Sequence, residues 1–288
     1  MNARPRFERV AIAGLGLLGG SLARALRRRG LARRLAAWGP DLADLRRARA
    51  AGVVDEVDNG ARCAQGADLV LVCTPFTATE AVLKEAARWA PKGCLAADVG
   101  SVKGPLAGRW TRAAGPMRFV PCHPMAGGER KGWRNASAER FEGAACLMTP
   151  VAATHRRALA EMGALWRSLG ARVAVMDPLT HDRLVARISH LPHATAAALS
   201  AAQSRAGAVS DFSWAGAGWR DTSRVAGSDP ELWADILLHQ ARPLERHLRG
   251  LEIELARLRR LLAAGSRPAV TAWLQRAAEF RASSVAGR

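Results

Sequence analysis

Two residues in the first half of the chain are of the kinds that take a proton from an alcohol. His123 follows an apolar run at a His-Pro break, Val120-Pro121-Cys122-His123-Pro124, which leads into the glycine-rich stretch Met125 to Glu129. Ser101 stands on a Gly-Ser turn after another apolar run, within Asp98-Val99-Gly100-Ser101-Val102-Lys103-Gly104. Strand ends of this sort in an open α/β sheet face the crevice where ligands bind, so the two side chains can meet across its mouth. A histidine held by a hydroxyl can act as general base for an alcohol proton, which must leave when hydride departs from the same carbon. Farther along, Arg224 closes the polar segment Gly218-Trp219-Arg220-Asp221-Thr222-Ser223-Arg224. There it could grip a carboxylate through two parallel hydrogen bonds. His181 lies upstream of Ser189-His190-Leu191-Pro192-His193, where His190 and His193 are three apart on one helix. Zinc is conceivable at that spacing, but no nearby Cys or carboxylate completes a ligand set, and no metal is expected.

A second group of residues could hold a dinucleotide. Gly14-Leu15-Gly16-Leu17-Leu18-Gly19 is a G-x-G-x-x-G sequence that follows one strand pattern and opens a helix pattern, the context that gives the motif meaning. Gly14 permits the tight turn, Gly16 lets backbone approach a pyrophosphate, and Gly19 allows close helix–strand packing. The helix N-terminus then offers free N–H groups to the phosphates. Thr74-Pro75 ends another strand on the edge that faces the same crevice. The acid that usually binds the adenosine ribose is missing: Gly39 occupies its expected position, and Asp41 lies two residues later. With no Arg or Ser immediately after it to hold a 2′-phosphate, NAD is the expected cofactor, with NADP as the alternative.

The elements that must position these residues alternate. Strands are expected at Arg9–Ala13, Leu35–Trp38, Asp68–Cys73, Cys94–Val99, Met117–Pro121, Cys146–Thr149 and Arg172–Met176. Helices are expected at Leu18–Arg29, Leu42–Ala51, Thr79–Trp89 and His155–Leu169. Uniformly apolar strands separated by helices mean βαβ units, a mainly parallel sheet and helices on both faces. After Pro178 the pattern is helical: Leu179–Arg205, Asp229–His247 with an extension toward Ala264, and Pro268–Ala282, with Ser283 to Arg288 frayed. The expected fold class is therefore α/β, an N-terminal Rossmann-type doubly wound sheet over residues 1–177 followed by an all-helical domain over residues 178–288.

Composition narrows the function classes. The 288 residues include 49% hydrophobic ones, enough to bury a core. No run of about 18 apolar residues is present, and the N-terminus has no apolar secretory region, so neither a membrane nor secretion is expected and the cytoplasm is. Five cysteines without a C-x-x-C pair read as buried thiols. The net charge of +18 would suit nucleic acid, but its arginines are scattered along helices (Arg27 to Arg29, Arg46, Arg47, Arg156, Arg157) without interleaved aromatics. Nucleic acid is not the expected partner; a positive field instead attracts an anionic substrate and cofactor.

Five motifs, G-L-G-L-L-G-G-S, D-V-G-S-V-K, H-P-M-A-G, S-H-L-P-H and D-T-S-R followed by S-D-P-E-L-W, occur here in the order and spacing found in prephenate/arogenate dehydrogenases of tyrosine biosynthesis, and the chain resembles that family from Val10 to about Asp235. The resemblance implies oxidative decarboxylation of a dianionic substrate, prephenate or arogenate, with hydride transfer to NAD(P). It implies that His123 accepts the ring hydroxyl proton and that Ser101 bonds the same hydroxyl and orients His123. It also implies that His193 and Arg224 contact the substrate carboxylates, that Glu129 helps gate the mouth, and that the helical domain forms a homodimer, with the site in the cleft between domains. Within the family pattern Gly128 replaces a frequent small hydroxyl residue, and at this length no appended regulatory domain is expected. Two readings compete. Another two-domain hydroxyacid dehydrogenase would need a Lys in its helical part, whereas Lys84, Lys92, Lys103 and Lys131 all precede residue 178. A non-catalytic dinucleotide-sensing regulator would not need His123, Ser101 and Arg224 together.

Overall fold

The computed structural model describes residues 6–207 and 209–285. Its first element, β1 (Phe7–Ala13), runs into helix α1 (Leu17–Arg28), and the alternation continues through β2 (Ala32–Trp38), α2 (Leu42–Ala50), β3 (Glu56–Asp58), β4 (Leu69–Val72), α3 (Thr79–Ala86), β5 (Leu95–Asp98), α4 (Leu106–Ala113) and β6 (Arg118–Val120). These six strands form one parallel sheet in the order β3-β2-β1-β4-β5-β6, the doubly wound arrangement expected. Both faces of β1 from Val10 to Ala13 and of β4 are apolar. Val10 and Ile12 of β1, with Leu69 and Leu71 of β4, pack under Leu22 and Leu26 of α1. Their alternate neighbours Ala11, Ala13, Val70 and Val72 pack with Leu83 of α3 and Trp110 of α4. Small strand residues on that second face leave room for the indole of Trp110. Each fully buried Leu or Ile contributes about 1.5–3 kcal/mol.

The chain then leaves the sheet. Strands β7 (Cys122–Pro124), β8 (Ala145–Met148) and β9 (Arg172–Val175) form a separate three-stranded sheet, with α5 (Arg156–Ser168) between β8 and β9. β7 runs antiparallel to β8. Pro121, which has no N–H to give, falls at the break between β6 and β7. His123 therefore lies inside a strand of its own rather than in a loop past the main sheet.

The remaining described elements are helical: α6 (Pro178–Val185), a π-helical turn at Ala186–His190, α7 (Leu191–Ala206), α8 (Ala217–Ser223), α9 (Pro230–His239), α10 (Ala241–Ala263) and α11 (Arg267–Val285). The single helix expected over Leu179–Arg205 is present, with one π-helical turn inside it. Pro192 cannot donate a backbone hydrogen bond, and the wide turn lies immediately ahead of it, as such turns often do at functional sites. The expected helix from Asp229 to Ala264 breaks at Gln240. Ser283 and Ser284 continue α11 instead of fraying; residues 286–288 of that expectation lie outside the described residues.

The structure divides into two compact units between Gln240 and Ala241. In the second, α10 ends at Gly265, whose φ of +62° is left-handed, and Trp273 Nε1 donates to Glu254 at 2.7 Å. No helix among the described residues is long and apolar enough to cross a membrane.

Candidate active site

At the head of α1 each glycine has a separate task. Gly14 has φ +82°, and a Cβ there would meet the Cys73 carbonyl oxygen at 3.0 Å. A Cβ on Gly19 would sit 2.1 Å from the Gly14 carbonyl oxygen, so α1 crosses the loop only because residue 19 is bare. Gly16 is different: nothing lies within 4 Å of its missing Cβ, and it lines an open cleft of about 560 Å³ with Leu17 and Leu18. No side chain caps α1 and no acid stands in its first turn, which leaves its N–H groups and positive dipole end available to an anion. Opposite, at the end of β4, Thr74 and Pro75 line the same cleft, and the buried Thr74 Oγ1 has no hydrogen-bond partner among the described residues. An open glycine loop at the head of an uncapped helix, with a buried, unpartnered hydroxyl in the opposite wall, fits a dinucleotide. At the end of β2, Asp41 spends its carboxylate capping α2, accepting from Asp44 N at 2.8 Å.

The reaction end of the cleft lies where β5 and β7 finish. Ser101, His123, Glu129, His190, His193 and Arg224 all line it, so the six come from segments up to 123 residues apart in sequence. Gly14 and Gly19 stand behind its wall and shape it. The ring of His123 is buried, with 6% exposure, and its Nδ1 lies 2.9 Å from Nε2 of His181. His181 Nδ1 is in turn 2.8 Å from Asp182 Oδ1. Ser101 shares the cleft with His123, but no hydrogen bond joins them among the described residues; the group that holds His123 is His181, on α6. Burial first, then the nearby His181, Lys103 and His190, push His123 well below the usual histidine range, so its ring is unprotonated at neutral pH.

A buried ion pair fixes the floor. Lys103 Nζ pairs with Asp98 Oδ2, and both side chains are fully buried. Asp98 also accepts from Gly100 N at 2.8 Å and from Cys122 N at 3.1 Å. One carboxylate thereby ties the end of β5, the turn carrying Ser101 and the residue before His123. Lys103 N donates to Asp182 Oδ1 at 3.0 Å. Sequence reading assigned no part to Asp98, Lys103 or Asp182; the Asp-Val-Gly-Ser-Val-Lys run was the only signal.

At the mouth, Arg224 pairs with Glu129 at 2.8 Å and Lys131 with Asp229 at 2.8 Å. Glu129 is held below the usual carboxylate range by its own backbone N–H and by Arg224. His193 stacks on Trp233. Burial pushes His190 down to about 4 and lowers His193 as well. The Nδ1 of His190 is buried without a partner. The cleft thus holds a neutral imidazole and a serine hydroxyl, with a guanidinium at the mouth and the glycine loop at the other end.

Comparison with known proteins gives the following. The model for the prephenate dehydrogenase nucleotide-binding domain matches residues 22–175, and that for the prephenate dehydrogenase dimerization domain matches residues 177–276. A cyclohexadienyl dehydrogenase from Zymomonas mobilis is 34% identical over 276 residues, 89% of each chain. A prephenate dehydrogenase from A. aeolicus, solved in complex with hydroxyphenyl propionate and NAD+, superposes with a TM-score of 0.88 at 28% identity, covering 96% of this chain and 98% of that one. An arogenate dehydrogenase from Synechocystis superposes with a TM-score of 0.78 at 30% identity, covering 96% and 100%.

Proposed function

The chain belongs to the prephenate dehydrogenase family, and from that premise we propose that it oxidatively decarboxylates prephenate or its amino-acid counterpart arogenate, with NAD, in tyrosine biosynthesis. The observation that supports this most is the neutral, buried His123 in a cleft whose far end is a dinucleotide cradle. When bound, NAD supplies the hydride acceptor. Gly16, Leu17 and Leu18 would hold its pyrophosphate over Gly14 and Gly19, with Thr74 and Pro75 on the opposite wall. The substrate ring stands over His123. His123 takes the proton of the ring hydroxyl as the C–H electron pair leaves and a carbonyl forms. Loss of the ring carboxylate as CO2 then sends an electron pair into the ring, and His123 returns the proton to the oxygen of the new phenol. Ser101 bonds the same hydroxyl. His193 and Arg224 hold carboxylates, and Arg224 must leave Glu129 to do so. Gly39 leaves the NAD ribose without its usual acid, so NADP is not repelled there.

The competing hydroxyacid dehydrogenase reading needs a free lysine. Lys103, the lysine nearest the base, is taken by Asp98. We also propose that the functional division runs between residues 177 and 178, close to where the two family models meet, and that the protein works as a homodimer in the cytoplasm. The match to a dimerization domain supports the dimer, as do Ile253, Leu255 and Leu262 of α10 and Leu274 and Phe280 of α11, all exposed apolar side chains. Sedimentation of the purified protein tests it.

The test of the activity is absorbance of reduced nicotinamide with prephenate and with arogenate, each with NAD and NADP, beside a His123→Ala control. Turnover with at least one pair, lost in the control, is expected. A folded protein that binds dinucleotide and turns over none of the four pairs would overturn the reading.

A further inference from the structure

The base in the cleft is the visible end of a buried chain. Asp182 Oδ1 lies 2.8 Å from His181 Nδ1, and an ionised carboxylate can only accept. His181 therefore carries its proton on Nδ1 and presents a lone pair at Nε2. The 2.9 Å contact between that Nε2 and His123 Nδ1 then requires His123 to donate. With its proton fixed on Nδ1, His123 has a bare Nε2 for the cleft. We propose that His181 and Asp182 are positioning residues of this reaction, a buried relay that sets the tautomer of His123 and shares the charge it gains. The proposal rests on the function assigned above and names what makes His123 a base.

The surroundings are built for such a relay. Asp177 caps α6, accepting from Leu179 N and Thr180 N, and so starts the helix one turn before His181. A Cβ at Gly104 would stand 2.6 Å from Asp182 Oδ2, so that glycine makes room for the carboxylate. Lys103 N donates a further hydrogen bond to the same Oδ1 at 3.0 Å. His181 is fully buried and Asp182 nearly so, where an ordered charge interaction is stronger than in water. The charged groups facing His123 are Lys103, matched by Asp98, and Asp182 beyond His181; His190 and His181 are neutral neighbours.

The proton balance is closed. The substrate O–H bond breaks and an N–H bond forms at His123 Nε2. The imidazolium then strengthens its Nδ1–H bond to His181, whose own proton stays toward Asp182. When the ring becomes aromatic the Nε2 proton returns to oxygen. No second proton need move, as with a histidine oriented by a buried carboxylate in hydrolases.

Two measurements test the relay. Nitrogen-15 NMR of the histidine rings at neutral pH, with His123 assigned by the signals lost in His123→Gln, is expected to show protonated Nδ1 and bare Nε2 on His123. The opposite tautomer overturns the proposal. This reading needs no turnover, so it stands or falls even if prephenate proves to be the wrong substrate. In steady-state kinetics with prephenate and NAD, His181→Leu is expected to lose kcat on the order of a hundredfold, with KM and the NAD dissociation constant within about threefold. His181→Gln, whose amide oxygen can accept from Nδ1, should recover most of that loss. Equal kcat in the wild type and His181→Leu, or no recovery in a folded His181→Gln, overturns it.

Discussion

His193 lies flat against the indole of Trp233, with ring centroids 3.3 Å apart and planes 7° from parallel. The stack joins α7 to α9 and fixes the plane in which His193 faces the cleft. Trp233 also meets His190 edge-on at 5.9 Å, so one indole orients two histidines. Such a contact is worth about 1 kcal/mol. Trp233→Leu should raise KM for prephenate roughly fivefold with a smaller change in kcat, and Trp233→Phe should keep most of the affinity. A loss confined to kcat would mean that the stack serves the chemical step instead.

Arg224 is paired with Glu129 at 2.8 Å. If Arg224 holds a substrate carboxylate as proposed, that carboxylate displaces Glu129 first, so removing the competitor frees the clamp. Glu129→Gln should lower KM about two- to threefold, because exposed pairs of this kind are weak. Arg224→Met should raise it at least tenfold, the usual scale for a lost charge-assisted hydrogen bond. Substrate titration of the two variants checks both signs.

The glycines of the cradle separate packing from binding. At Gly19 an added Cβ meets backbone at 2.1 Å, so Gly19→Ala should lower stability by about 1–3 kcal/mol. At Gly16 the same atom meets nothing within 4 Å but intrudes where the backbone approaches the pyrophosphate. Gly16→Ala should melt within a degree or two of the wild type and weaken NAD binding at least tenfold. Unchanged affinity in Gly16→Ala would place the pyrophosphate elsewhere.

Much of this was legible in sequence because it is local. The glycine loop, the long apolar strands and the left-handed stops at Gly30 and Gly52 are read within a dozen residues. β3 escaped because Glu-Val-Asp is too short and polar to signal a strand, and α4 because no side-chain cap announces it. The partner of His123 escaped for a different reason. His181 is 58 residues away, and the pattern around it assigned it no role, since no metal was expected there; only the fold turns it toward His123. Among the described residues no cluster of His, Cys, Asp and Glu could hold a metal ion. Asp182, beside His181, was not singled out from the other carboxylates, although it completes the chain.

The buried histidines make stability depend on pH. His123, His181, His190 and His193 all have folded-state pKa values below the usual one, so the unfolded chain binds protons that the folded one refuses. Stability is then fully present above about pH 6.5 and falls as pH drops toward the folded values. For His190, lowered to about 4, the loss at pH 5 is about 2 kcal/mol. Urea midpoints should fall steadily from pH 7 to pH 5, and His190→Gln should flatten the slope. A midpoint independent of pH over that range would contradict the burial of these rings as neutral groups.

The Asp98–Lys103 pair should be worth more intact than either member alone. Each is fully buried, so removing one leaves an uncompensated charge, at a cost of about 3–5 kcal/mol. Lys103→Met strands a carboxylate with only the Gly100 and Cys122 N–H groups. Asp98→Asn strands an ammonium whose remaining neighbour is the face of Trp110, 5.2 Å away. The double variant strands neither and should recover about 2 kcal/mol or more relative to the sum of the singles. Its activity should nevertheless stay low. An amide at 98 accepts more weakly from Cys122 N, and the strand that carries His123 is released from the end of β5. Additive losses of stability in the cycle would mean that the two charges are not coupled, and recovered stability with full activity would mean that the grip on Cys122 does not position the base.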